Sequence, residues 1–364
     1  MKARLAKQIK QFEQQDLLRK LTTFDYGLNF TSNDYLGLSK HPKVVSAIKN
    51  AVETVGVGSC AAQTIGGYHA YHAELVAKFI DQLGAEDACL FSSGYMANMA
   101  LISALCNSKQ QNLYLDRQAH ASHISGAKIS NAKLKRFKNC DLDSLAAVVD
   151  NHGLVVTDTI FSMSGRVAPV KEIYDFCQQH NDLTLALDDA HGFGFLSTCG
   201  AHKHFGIPLT TTTITFGKAL GTSGAIVVGE KIFIEAIRQF ASPFLFTTAM
   251  PACIAKATTI AFEIMQNEVW RQEKLKANIE YFRSNNKIPS IDSCTPIQFI
   301  TGINAGQSWA VFKQLRSKGI LVQPIRPPTV SLNNTGIRIV INAGHNFSDI
   351  DNLLGALNDC WLAL

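Results

Sequence analysis

A lysine set among small residues just after a β-branched run is the most reactive prospect in this chain: Thr215-Phe216-Gly217-Lys218-Ala219-Leu220-Gly221, close to the apolar GAIVVG. An amine placed there loses the water that stabilises its charge, which lowers its pKa and exposes a nucleophile suited to Schiff-base work. A Walker A loop is excluded because GxxxxGK[ST] is not matched, and Lys218 alone reads as a structural lysine. A second pattern, Asp188-Asp189-Ala190-His191-Gly192, closes the apolar run LTLAL. Strand ends of parallel sheets are where ligands bind, and a carboxylate emerging there must be solvated, paired or in use. No GxGxxG precedes it to make Asp188 a ribose acid; in isolation a capping Asp beside a surface His is the alternative. The third pattern, Phe91-Ser92-Ser93-Gly94-Tyr95, ends a strand and opens a helix. Free N–H groups at a helix start bind phosphate or carboxylate, and Gly94 admits close backbone approach; by itself this is also ordinary turn chemistry. Together the three supply what pyridoxal 5′-phosphate (PLP) requires: donors for its phosphate, a carboxylate for its pyridinium nitrogen and a lysine for its aldehyde.

Such residues need a scaffold that ends several strands side by side. The strand candidates are 87–91, 112–115, 154–161, 183–189, 213–216 and 224–229, and helical spacing recurs between several of them, as in Tyr95–Leu105 and Val170–Gln179. That alternation argues an α/β fold, a mostly parallel sheet flanked by helices. Leu5, Ile9 and Phe12 predict an amphipathic helix over the first twenty residues, followed by an extended piece at Leu28–Thr31. After residue 250 the pattern changes to a long helical stretch, 251–283, then PIQFITG, a helix closed by Gly319, ILVQPI, GIRIVINA and a last helix from about Phe347. The expected organisation is an N-terminal helix and substrate-site segment (1–42), a large domain (43–250) and a small C-terminal α+β domain (251–364).

Composition narrows the function classes. At 364 residues, with 46% hydrophobic and 17% charged residues, the chain can bury a substantial core, so disorder is excluded. A net charge of +5 without a dense basic run gives no nucleic-acid stripe. Nine scattered cysteines with neither a CxxC pair nor a histidine at ligand spacing read as reduced thiols, and no metal is expected. With no signal-peptide core and no apolar run near the roughly 20 residues that span a bilayer, a cytoplasmic protein without membrane contact is expected.

The chain resembles the α-oxoamine synthases, a family of fold-type-I PLP enzymes with an aspartate-aminotransferase-like fold. The resemblance is carried by NFTSNDYLGLSKHP (29–42), LFSSGYMAN (90–98), LDRQAHASH (115–123), FSMSG (161–165), LDDAHGFG (187–194), TFGKALGTSGA (215–225), FTTAMPA (246–252) and IRPPTV (325–330). It implies that Lys218 holds the cofactor and removes the α-proton, that Asp188 keeps the pyridine nitrogen protonated, and that His191 and Ser162 bind the phenolic oxygen. It further implies that His120 stacks on the ring and that Thr215 with the Gly94–Tyr95 turn contacts phosphate and ring; a histidine so placed is also a hydrogen-bond donor in reach of the thioester oxygen, a separate expectation. Thr247 and Thr248 match a segment that reaches the neighbouring subunit's cofactor, implying a homodimer with shared active sites. Asn33 and Arg338 match groups on the amino-acid carboxylate, and Arg19 and Thr329 positions near the acyl chain. IRPPTV points to the member that joins L-alanine to a pimeloyl thioester, on CoA or acyl carrier protein, rather than to its glycine- or serine-using relatives; a catalytically inactive PLP-fold partner subunit is the reading from another class. The chain departs from the family at Cys60-Ala61-Ala62, Asp158, Ser164 and Arg166.

Overall fold

A computed structural model describes residues 1–364 except 15–16, 19–20, 22, 25–26, 151, 328–329 and 331–333. The chain forms two compact units: a larger one of residues 33–162 and 166–273, and a smaller one of 1–32, 163–165 and 274–364. These limits differ from the expected 43–250 and 251–364. Residues 33–42 belong to the larger unit because Tyr35, Leu36 and Leu38 are fully buried, and a β-carbon on Gly221 would strike the backbone of Leu38 and Ser39. The helix Ala252–Asn267 belongs there too, packed on α2 (Pro42–Val55) and α3 (Ala70–Leu83). Its Phe262 stacks on Phe79 at 4.5 Å between ring centroids, and burying such a side chain contributes about 1.5–3 kcal/mol.

In the smaller unit, α1 (Lys2–Gln14) buries none of its residues, and Leu17 and Leu18, within the expected helix, are not helical. Strand β1 (Leu28–Asn29) pairs in parallel with β11 (Ile320–Leu321). A four-stranded antiparallel sheet runs β12 (Gln323–Ile325), β13 (Gly336–Val340), β10 (Ile297–Ile300), β9 (Ser290–Ile291). The single helix expected over 251–283 is interrupted. Glu268 leaves helical geometry at φ −99° and ψ 62°, and its carboxylate takes Arg271 at 2.7 Å and His41 at 3.3 Å; a second helix, Trp270–Asn285, follows.

The larger unit is built on seven strands in the order β2 (Asp87–Phe91), β8 (Ala225–Gly229), β7 (Thr211–Thr215), β6 (Asp182–Asp188), β5 (His152–Asp158), β3 (Asn112–Asp116), β4 (Lys133–Phe137). The expected mostly parallel, helix-flanked α/β sheet is the one observed; only β8 runs against its neighbours. That reversal is forced, because the connection from β7 covers only residues 216–224, and a parallel crossover needs a dozen or more. Lys218 therefore sits in a tight return loop. Strand side chains alternate between two cores: Leu113, Leu115, Leu154 and Val156 face one, Tyr114, Val155, Leu183 and Leu185 the other. Strand β4 was not expected from its sequence, KLKRF, which lacks an apolar run. It lies at the sheet edge, where Lys and Arg suppress further strand pairing.

Candidate active site

The carboxyl ends of the parallel strands meet the start of α4 (Gly94–Leu105) around a cavity of about 280 Å³, wholly within the larger unit. Ser93 caps α4, its Oγ accepting from Met96 N–H at 3.3 Å, so the first free N–H groups of the helix point at the cavity rim. Gly94 is required here: a β-carbon would run into the γ-methyl of Thr215. Gly94→Ala should displace Thr215, to whose hydroxyl Lys218 Nζ donates at 3.4 Å. We expect a stability loss of about 1–3 kcal/mol and weaker PLP binding. Adding Thr215→Ser, which removes that methyl, should restore both; PLP titration and thermal melts of the single and double variants check this.

Lys218 is held by its loop: Gly221 N–H bonds the Lys218 carbonyl at 2.9 Å, and Phe216 N–H bonds Gly224 O at 2.9 Å. Asp188, at the end of β6, is 5% exposed and fixed by two donors, Asn98 Nδ2 at 2.6 Å and Ala190 N–H at 3.0 Å. Its neighbour Asp158 ends β5 in register with it; burial and the Asp188 charge hold the Asp158 carboxyl well above the usual carboxylate range. His191 shares a 2.6 Å hydrogen bond between Nδ1 and the Tyr35 hydroxyl. His120 caps α5 (Ala121–Ile129), and its ring meets Tyr95 edge-on at 6.1 Å. Desolvation lowers the His120 pKa, Asp188 opposing it and Lys218 adding to it, so a neutral imidazole is favoured at neutral pH.

Asp189 organises the loop behind His191. It accepts from the Thr159 hydroxyl at 2.7 Å and from Ala201 N–H at 2.9 Å, yet burial pushes its carboxyl up to about 7. A carboxyl whose folded pKa exceeds its unfolded value binds a proton on folding; its contribution is full below about pH 4 and is lost as pH rises through about 7. Native protein should therefore lose stability relative to Asp189→Asn between pH 5 and 8. Paired chemical denaturation across that range measures it, and a pH-independent difference would refute the protonation.

Of the residues singled out in the sequence, Asn33, Gly94, Tyr95, His120, Ser162, Asp188, His191, Thr215 and Lys218 line this one cavity. Thr247 and Thr248 do not line it, although Ser92 Oγ, on its rim, donates to the Thr248 carbonyl at 3.2 Å. Arg338 is buried on β13 in the smaller unit. Arg19 and Thr329 lie outside the described residues. Sequence reasoning missed Asn98 and Tyr35, and it noted Asp158 only as a departure from the family, not as a residue of the cavity. Asn98 had a signal: it is the lone amide in the apolar GYMANMALISAL, one turn after Gly94.

The donor set fits PLP. One amine, one anchored carboxylate, and a helix start with the Ser92, Ser93 and Thr215 hydroxyls surround a glycine cradle. The model of the family described as aminotransferase class I and II matches residues 26–357. The chain belongs to that family. It is 38% identical over 348 residues to an 8-amino-7-oxononanoate synthase of Pseudomonas paraeruginosa, covering 93% of this chain and 86% of that one. Among solved structures it is similar to an 8-amino-7-oxononanoate synthase from Francisella tularensis, at 29% identity and TM-score 0.79 over 92% of this chain and 97% of that one. A serine palmitoyltransferase from S. paucimobilis shares the fold at TM-score 0.90, with 24% identity over 99% and 97% of the two chains. This class I and II aminotransferase-fold chain is a PLP-dependent acyltransferase, as the resemblance implied.

Proposed function

We propose that this enzyme joins L-alanine to a pimeloyl thioester, releasing CO₂ and the free thiol carrier and forming 8-amino-7-oxononanoate, a step of biotin biosynthesis. The observation that carries the reading is the convergence of Lys218, Asp188 and the α4 start on one cavity, in a chain 38% identical to synthases of that name. PLP bound there would supply a carbonyl for amines and a ring that withdraws electrons from the alanine Cα. Lys218 would hold it and act as the base at that Cα–H. Asp188 would pair with its ring nitrogen, keeping positive charge there. His191 and Ser162 would bind its phenolic oxygen, His120 would cover its face, and Thr215 with the Gly94–Tyr95 turn would hold its phosphate. A neutral His120 is also the donor proposed for the thioester oxygen as charge develops on it. For the substrates, resemblance assigns Asn33 and Arg338 to the alanine carboxylate and Arg19 and Thr329 to the acyl chain.

The test is stoichiometric. PLP-loaded protein given L-alanine and pimeloyl-CoA should release equal amounts of CO₂ and free CoA thiol and yield a product of the predicted mass. Turnover of glycine with acetyl-CoA, and none of alanine with pimeloyl-CoA, would overturn the substrate assignment.

We also propose a homodimer with active sites completed by Thr247 and Thr248, and a cytoplasmic location. All nine cysteines are free thiols, as a reducing compartment favours, and among the described residues no helix is long and apolar enough to cross a membrane. Ala62 bridges Thr248, and the two segments so joined carry exposed Ile65 (77%) and Phe246 (83%), apolar surface of the kind that interfaces cover. Light scattering should give about twice 39.8 kDa, and mixing a Lys218→Ala chain with a Thr247→Ala/Thr248→Ala chain should regain activity that each lacks.

A further inference from the structure

In a parallel sheet, residues in register on adjacent strands point to the same face. Asp158 and Asp188 are such a pair, so two carboxylates with side chains only 4% and 5% exposed stand next to each other. Burial and mutual repulsion prevent both from ionising without a counter-group. The residue between them is His123, carried in by α5 and 1% exposed. Its Nδ1 lies 3.5 Å from Asp158 Oδ1 and its Nε2 3.5 Å from Asp188 Oδ2. Among the described residues, no group makes a hydrogen bond to its Nδ1.

We propose that His123 is a positioning residue for Asp188: Asp158 keeps a proton directed at His123 Nδ1, and His123 Nε2–H is directed at Asp188, so that the trio's single negative charge resides on Asp188. This rests on the proposed role of Asp188 as the partner of the cofactor's ring nitrogen. Proton placement follows from the surroundings. Asp188 receives Asn98 and Ala190 donors, whereas the only donor to the Asp158 carboxylate among the described bonds is the His120 N–H, at 3.4 Å. Burial brings the His123 imidazole down to about 4, against the pull of Asp188 and with His120 adding to the fall, and the Asp158 carboxyl moves the opposite way. Asp116 and Lys218 act on Asp158 with opposite signs. A neutral imidazole with its proton on Nε2 is the one tautomer that serves both neighbours. The gaps of 3.5 Å are ion-pair distances rather than short hydrogen bonds, so orientation and charge placement, more than bond strength, are what His123 contributes.

The test reads the proton directly. In ¹⁵N-histidine-labelled protein, with and without PLP, His123 should show a bare Nδ1 and a protonated Nε2 from pH 6 to 8. An Nδ1–H tautomer or an imidazolium in that range overturns the proposal. Independently, His123→Leu and Asp158→Leu should each raise the PLP dissociation constant about tenfold or more, as loss of an outer-shell partner does. Asp158→Asn, whose amide still donates to Nδ1, should stay within about threefold. Native affinity in folded His123→Leu protein would also overturn it. The tautomer is readable whether or not PLP binds, so a relay failure differs from failure of wild-type Lys218 to take up PLP, which would sink the proposed function itself.

Discussion

Replacing Lys218 with alanine should lower the condensation rate by about 10⁴-fold or more, the upper range for loss of a positioned base, because the same amine also anchors the cofactor. The fold should survive. Lys218 is half-buried in a loop whose shape is set by backbone bonds, Gly221 N–H to Lys218 O and Thr222 N–H to Phe216 O, both at 2.9 Å, and these do not involve its side chain. Borohydride treatment of the wild-type protein with PLP should fix one cofactor mass on the peptide containing Lys218; the variant should gain none. Lys218→Arg is the sharper control, since it keeps a positive charge but offers no amine that deprotonates in the working range. Arginine should fail as alanine does. Substantial activity in Lys218→Arg would mean that Lys218 contributes only charge.

Lys218, Asp188 and Gly94 were legible because each stands in a short local pattern whose chemistry depends on neighbours in sequence: a lysine after a strand, an acid at a strand end, a glycine at a helix start. Tyr35, Asn98 and His123 were not, because their roles come from partners 156, 90 and 65 positions away, His191, Asp188 and Asp188, which only the sheet order brings close. The parallel fold was legible from apolar runs alternating with helical spacing, and β4 escaped because an edge strand is held by pairing rather than by burial. The break at Glu268 escaped for a related reason. Nothing in MQNEVW excludes helix, and the turn is set by where Glu268 meets Arg271 and His41. The 1–42 and 251–364 limits followed sequence grammar, whereas the units follow which side chains share a core.

Asp188→Asn should cut the rate by about 10²–10³-fold, the loss typical of one preorganised electrostatic partner, with a weaker hold on PLP. The substitution is nearly isosteric, so its effect isolates charge. An Asn here must also choose: with its oxygen toward Asn98 Nδ2, its own N–H₂ confronts the Ala190 N–H that now bonds Asp188 at 3.0 Å. One buried donor is then left unpaired at a cost of about 1–3 kcal/mol, and thermal melts should show that loss in apo protein. Asn98→Ala removes a donor but leaves the charge, so it should weaken PLP binding while costing less rate than Asp188→Asn. The order of the two variants decides the role. If Asn98→Ala were as slow as Asp188→Asn, the geometry of the carboxylate would matter and its charge would not. If Asp188→Asn lost stability but kept its rate, Asp188 would be a structural acid, and the charge that the cavity supplies would have to come from Asp158.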